Sequence, residues 1–142
     1  MLLGEHDHSL DDKNRLTLPA RHREAMGGHV VIARGLDGCL TVYARAEWDQ
    51  LTERVGRLDS FSREARQLQR YFFSGAEPAS VDKAGRMLIP ARLLDEVKIG
   101  REVTVAGIHD HLEIWDRAAW RAQVQAVEGS AEDVAERLAS RG

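Results

Sequence analysis

Apolar and polar positions along this chain follow two rhythms, and the order of the rhythms is written twice. Leu16 and Leu18 alternate with Arg15 and Thr17, the period-2 pattern of a strand with one buried face. An extended segment over 5–10 and a turn over 11–14 precede it. Pro19 suits the first position of a helix, where its missing N–H is not needed, so a short helix is predicted over 20–26, closed by Gly27 and Gly28. Strand-like runs over 30–33 and 40–43 flank Asp37-Gly38, a strong hairpin signal. Trp48, Leu51, Val55 and Leu58 then recur at helical spacing. Phe61, Ala65, Leu68 and Phe72 form a second stripe, with Ser62 placed to cap it and Gly75 and Pro78 to end it.

The second half repeats the plan. An extended pair at 81–82, a turn, a strand over 87–89, Pro90 and a helix over 91–97 are followed by strands over 102–106 and 112–115. Trp120, Val124 and Val127 form a further stripe. Gly129 breaks it, and Ser130 with Asp133 has the spacing of a capping box for a last helix bearing Val134 and Leu138. Residues 11–21 read DDKNRLTLPAR and residues 82–92 read DKAGRMLIPAR. An offset of 71 lays Asp11 on Asp82, Arg15 on Arg86 and Pro19 on Pro90. Beyond the helix the offset grows to 72, with Gly28 on Gly100, Leu40 on Leu112 and Trp48 on Trp120, so one residue is inserted in a loop. Such self-similarity marks a duplicated α+β domain. The segments expected are a first unit over 5–47, a helical pair and connector over 48–78, a second unit over 79–122 and C-terminal helices over 123–142.

Composition narrows the class. The 142 residues can bury one core or two small ones sharing an interface. No apolar run approaches the roughly 20 residues that cross a bilayer, and the N-terminus lacks the pattern of a signal peptide, so a cytoplasmic location without membrane contact is expected. Cys39, the single cysteine, is expected to be a small buried residue. The net charge of −3 is opposite in sign to that of most phosphate-binding modules, although 82–101 carries Lys83, Arg86, Arg92, Lys98 and Arg101. No P-loop, dinucleotide fingerprint or nucleophile elbow is written, so no catalytic residue or cofactor is assigned. His6 with His8 and His109 with His111 have i, i+2 spacing, but lack the further ligands of a metal site and read as solvent-facing.

The repeated turn carries the candidate chemistry. Asn14 falls opposite Gly85, the two residue types that most readily take a positive φ, which predicts a shared left-handed turn position. Asp11 and Asp82 stand where a carboxylate can accept backbone N–H bonds across the turn. Arg15 and Arg86 follow on strand, each offering a planar fork of donors suited to phosphate or to the O6/N7 edge of guanine. A purely structural Asp–Arg brace is the alternative, weakened by its recurrence in matched context.

These segments, together with VYARAEW, RYFFSGA at 70–76 and LEIWD at 112–116, make the chain resemble the MraZ family of bacterial transcriptional regulators, within the AbrB-like (SpoVT-AbrB) superfamily. The family's doubled D-x-x-x-R signature falls on Asp11 with Arg15 and on Asp82 with Arg86; Asn14 stands where the family's first copy usually has Gly. The resemblance implies two tandem swapped-hairpin β half-units forming a pseudo-dimer, with appended helices. It also implies a homo-oligomeric ring of about eight or more subunits, and binding to short direct repeats in promoter DNA ahead of the family's own division and cell wall operon, at the nucleoid. Lys13, Lys83, Arg21 and Arg92 are then second-tier candidates for phosphate contact. An oligomeric protein-interaction module without DNA binding is the rival reading, which the Phe72–Phe73 pair would serve. The two are separated by whether Arg15 and Arg86 share a solvent-exposed face.

Overall fold

The computed structural model describes residues 1–141; the last residue of the 123–142 segment lies outside them. In chain order the elements are β1 (Glu5–Ser9), β2 (Arg15–Thr17), α1 (Ala20–Met26), β3 (His29–Arg34), β4 (Leu40–Ala44), α2 (Arg45–Gly56), α3 (Arg63–Ser74), β5 (Glu77–Ser80), β6 (Arg86–Leu88), α4 (Ala91–Glu96), β7 (Glu102–Gly107), β8 (Leu112–Asp116), α5 (Arg117–Glu128) and α6 (Ala131–Arg141). The period-2 and helical patterns fall on these elements, and Asp37 and Gly38 both take positive φ, 68° and 87°, as a tight hairpin turn demands.

A six-stranded antiparallel sheet has the order β1-β7-β8-β4-β3-β5, and β2 with β6 forms a separate two-stranded ribbon. Only the hairpins β3–β4 and β7–β8 pair within a half. They meet at the centre of the sheet, where Leu40, Thr41 and Val42 oppose Ile114, Glu113 and Leu112. The edge strands are exchanged: β1 leaves the first half to pair with β7, and β5 leaves the second to pair with β3. Fully buried Leu16, Leu18, Ile32, Leu40 and Val42 from one half interleave with Met87, Ile89, Leu93, Leu112 and Ile114 from the other in a single core. That apolar burial, at about 25 cal/mol per Å², is the main force holding the halves together.

Three local expectations are corrected. The first strand of the second half is β5 at Glu77–Ser80, not the pair at 81–82; Pro78 masks it in sequence and is tolerated because β5 is a sheet edge. Ser130 does not cap α6 through Asp133, because its hydroxyl donates back to the carbonyls of Ala126 and Val127. The histidine pairs are not solvent-facing strand pairs either. His6 and His8 point inward from β1, and the His6 ring lies 5.6 Å from that of buried His22, with both His6 nitrogens and His22 Nε2 unpartnered. His109 sits at a turn with φ 69°, while half-buried His111 is held by Asp110 and stacked on Tyr43 at 4.7 Å. Among the described residues no group of three or more potential metal ligands converges, and no helix is long and apolar enough to cross a membrane.

Helices α2 and α3 cover the first hairpin, where Trp48 meets Phe72 at 6.1 Å and Ser62 caps α3 through the Ala65 N–H. Arg34 fastens this layer: its guanidinium donates to the Tyr71 carbonyl and Ser74 Oγ and lies 4.6 Å from the centre of the Tyr71 ring. On the second hairpin, Trp120 of α5 packs on Trp115 and donates to Glu5.

Candidate nucleic-acid interface

The ribbon is built where the two repeated turns meet. Asp11 Oδ1 accepts from the backbone N–H groups of Lys13 and Arg15 at 2.9 and 2.8 Å, and its Oδ2 accepts from Arg15 Nε at 2.6 Å. Asp82 does the same with Ala84, Arg86 and Arg86 Nε at 2.9, 2.8 and 2.9 Å. Each aspartate N–H also donates to the arginine carbonyl four residues on. The left-handed positions are Asn14 at φ 60° and Gly85 at φ 82°. Those two residues lock the halves together as well, because the Asn14 carbonyl accepts from Ile89 N–H and the Gly85 carbonyl accepts from Leu18 N–H.

Pairing sets Arg15 opposite Leu88, Leu16 opposite Met87 and Thr17 opposite Arg86. Leu16 and Met87 are completely buried, so alternation sends Arg15, Thr17, Arg86 and Leu88 to one outward face. The two arginines are diagonal cross-strand neighbours, about 7–8 Å apart by ribbon geometry. Their side chains are 31% and 42% exposed. Each commits Nε to its aspartate, while among the described residues the Nη groups of both make no hydrogen bond. A charged donor fork is therefore aimed outward from a rigid mount. The bracing N–H of Arg15, its side chain and the Lys13 N–H draw the Asp11 carboxyl down to about 2; Asp82 is lowered in the same way, first by the Arg86 N–H.

The second-tier residues divide. Lys13 and Lys83 are exposed at the turn tips beside the arginines. Arg21 is exposed on the first turn of α1. Arg92, its counterpart on α4, is partly neutralised by Glu77 at 3.3 Å and Glu96 at 3.9 Å. Sequence reasoning missed Arg23, whose Nη1 donates to the Lys83 carbonyl at 3.2 Å and braces the second turn from the first half's helix. No motif signals this, since the counterpart of Arg23 is Leu94.

A sequence model of the family described as "MraZ protein, putative antitoxin-like" matches the chain twice, over residues 1–71 and 72–142. The chain belongs to the MraZ family. A protein named transcriptional regulator MraZ from Roseiflexus castenholzii is 43% identical over 139 residues, which span 98% of this chain and 97% of the relative. One of the same name from Heliobacterium modesticaldum is 43% identical over 138 residues, 97% of this chain and 96% of its own. A third, from Clostridium acetobutylicum, is 41% identical over 120 residues, 84% of both chains. The two MraZ matches each contain one Asp–Arg turn, and their boundary falls inside α3, at the period that the sequence offset gives.

Proposed function

We propose that the chain is a sequence-specific DNA-binding transcriptional regulator and that the β2–β6 ribbon is its reading head. The observation that carries the reading is the pair of aspartate-braced arginines on one exposed ribbon face. A two-stranded ribbon fits the major groove of B-DNA, and an arginine fork matches guanine O6/N7 or two phosphate oxygens. Arg15 and Arg86 are the base-reading candidates; Lys13, Lys83 and Arg21 would contact phosphate and set register, with Arg92 contributing once DNA competes with its acidic partners. The exchanged edge strands agree with an AbrB-like swapped-hairpin arrangement in which the two halves act as a pseudo-dimer, with units over 5–47 and 79–122 and helical segments over 48–78 and 123–142.

An acidic chain with one such head needs multivalency. Outward apolar residues on or beside the helices, Phe61, Leu68, Phe73, Val127 and Leu138, support self-association, and the family resemblance implies that it takes the form of a homo-oligomeric ring of about eight or more subunits. Repeated heads would engage short direct repeats in promoter DNA ahead of its own division and cell wall operon, with each bound head raising the effective concentration of the next. Cytoplasmic, nucleoid-associated action follows from that reading, with no catalytic, metal or cofactor role.

The test is fluorescence anisotropy with the duplex upstream of the chain's own gene against an unrelated duplex. The native chain is expected to prefer the upstream duplex, with affinity falling as salt rises by about one counterion per phosphate contact. Arg15→Ala with Arg86→Ala should abolish the preference while sedimentation shows assembly unchanged. A double variant that binds like the native chain overturns the assignment.

A further inference from the structure

The reading head is two-fold symmetric in backbone but not in side chains. Arg15 and Arg86 occupy equivalent places, as do Leu16 and Met87. The remaining outward pair is unequal: Thr17 on β2 has Leu88 as its counterpart on β6. Leu88 is 57% exposed between fully buried Met87 and Ile89. A single exposed leucine is ordinary on a protein surface. This one is held on a short rigid strand directly across from Arg15, inside the outward patch itself. The surroundings differ in the same sense. The first turn tip carries Asp12 and Lys13, the second Lys83 and Ala84. Arg23 braces the second turn, whereas Leu94 lines the flank of the first, beside an open cleft of about 240 Å³ that also borders Asn14 and Arg101.

We propose that Leu88 and Thr17 are specificity-determining residues of the ribbon, and that their inequality makes one chain read a non-palindromic sequence in a single orientation. The inference rests on the DNA-binding reading above. A head with equal side chains in both halves would match a dyad-symmetric sequence, because site symmetry mirrors protein symmetry. In the major groove the feature an outward leucine meets well is the thymine methyl. Opposite a base with no methyl to meet it, such as cytosine with its N4 amine or guanine with O6 and N7, leucine covers only polar groups and leaves them without water or a partner, which is a strong ground for rejection. Threonine presents a methyl and a hydroxyl that both donates and accepts, so it accommodates several bases. The base step beneath Leu88 is therefore read narrowly and the step beneath Thr17 broadly. This polarity would let a head tell the direction of a repeat, which the arginines alone cannot do.

The experiment is selection from a random-sequence duplex library with the full-length native chain, Leu88→Thr, Thr17→Leu and Leu88→Val, with sedimentation of each protein. The native chain is expected to enrich a non-palindromic motif with thymine fixed on one side. Leu88→Thr should relax that position and bind the native motif roughly tenfold more weakly, the scale of one mismatched base pair. Thr17→Leu should add a fixed thymine at the mirror position, and Leu88→Val should keep the native motif. If Leu88→Thr recovers the native motif at native affinity, or alters assembly and leaves the motif unchanged, Leu88 is not a reader and the proposal falls. A native chain that enriches no sequence overturns the DNA-binding reading and this inference with it, an outcome separate from the other two.

Discussion

The two aspartates show how one side chain sets both a turn and the aim of its neighbour. With Asp11 held near 2, its brace is complete above the ordinary carboxylate value and is lost as pH falls from about 4 toward 2. Asp11→Ala should therefore lower the melting temperature at neutral pH and flatten its fall below pH 4, which calorimetry across that range would register. His22 has the opposite standing. It is 2% exposed, stacks on His6 and leaves Nε2 without a partner, and burial lowers both imidazoles below their ordinary value. The unfolded chain then takes up protons first, so these groups remove stability as pH falls below about 6.5. His111 works in the other direction. Although burial opposes it, the hydrogen bonds its ring donates to the Glu113 and Asp110 carboxylates raise its pKa, so its contribution is present below the ordinary histidine value and lost as pH rises through the raised one. Because the repeat places Leu93 where His22 stands, His22→Leu has a packing precedent in the same molecule. It is expected to add about 1 kcal/mol of stability at neutral pH, the scale of an unsatisfied buried polar group, and to weaken the loss between pH 6.5 and 5. Denaturant melts at both pH values measure it; a less stable variant would mean that His22 has a partner not accounted for.

At the level of elements, the turn of the second half is the tighter one. Gly85 combines φ 82° with close cover, since a Cβ there would lie 2.9 Å from Arg23 Nε. Gly85→Ala is expected to cost about 1–2 kcal/mol for the left-handed backbone alone, and to displace Arg23 from the Lys83 carbonyl. Asn14→Gly, at the matching position, should be nearly neutral; urea melts of the two variants compare them directly. The Asn14/Gly85 match was legible because both residue types tolerate positive φ. Two further left-handed pairs were not. Gly27 matches Lys98, and Asp37 matches His109, each with positive φ at both members. Lysine carries no such signal and histidine a weaker one than glycine or asparagine, and their backbones are dictated by the helix end and hairpin they close. Period 2 marks β2, and strand-like apolar runs mark β3, β4, β7 and β8, while β5 is hidden by Pro78. Their exchange was invisible to local pattern, because the inner faces of β1 and β5 show which side is buried and not which hairpin they join. The outward aim of the two arginines depends on the pairing of β2 with β6, which no local pattern encodes.

For the whole molecule, strand exchange makes duplication a condition of folding. A chain cut at the repeat boundary would leave β1 without β7 and β2 without β6, and would expose the faces of Leu16, Ile32 and Leu40 that the other half covers. A fragment of about 70 residues has little core to spare, so a monomeric half should not hold its fold. The repeat does offer the fragment a substitute, because a second copy presents nearly the same turn, hairpin and edge strand. Residues 1–71 alone are therefore expected to fold only as they pair, with a thermal midpoint that rises with concentration as mass action requires. In the full chain the connecting helices hold the second half at high effective concentration, and the ribbon forms with Arg15 and Arg86 in fixed relation. Circular dichroism melts of the fragment over a hundredfold range of concentration, with sedimentation at each end, measure this. A folded monomeric half with a constant midpoint would show that the exchanged strands are dispensable. Chemical shifts matching the native turn in a dimeric fragment would show that the shared core alone is enough to assemble the paired ribbon.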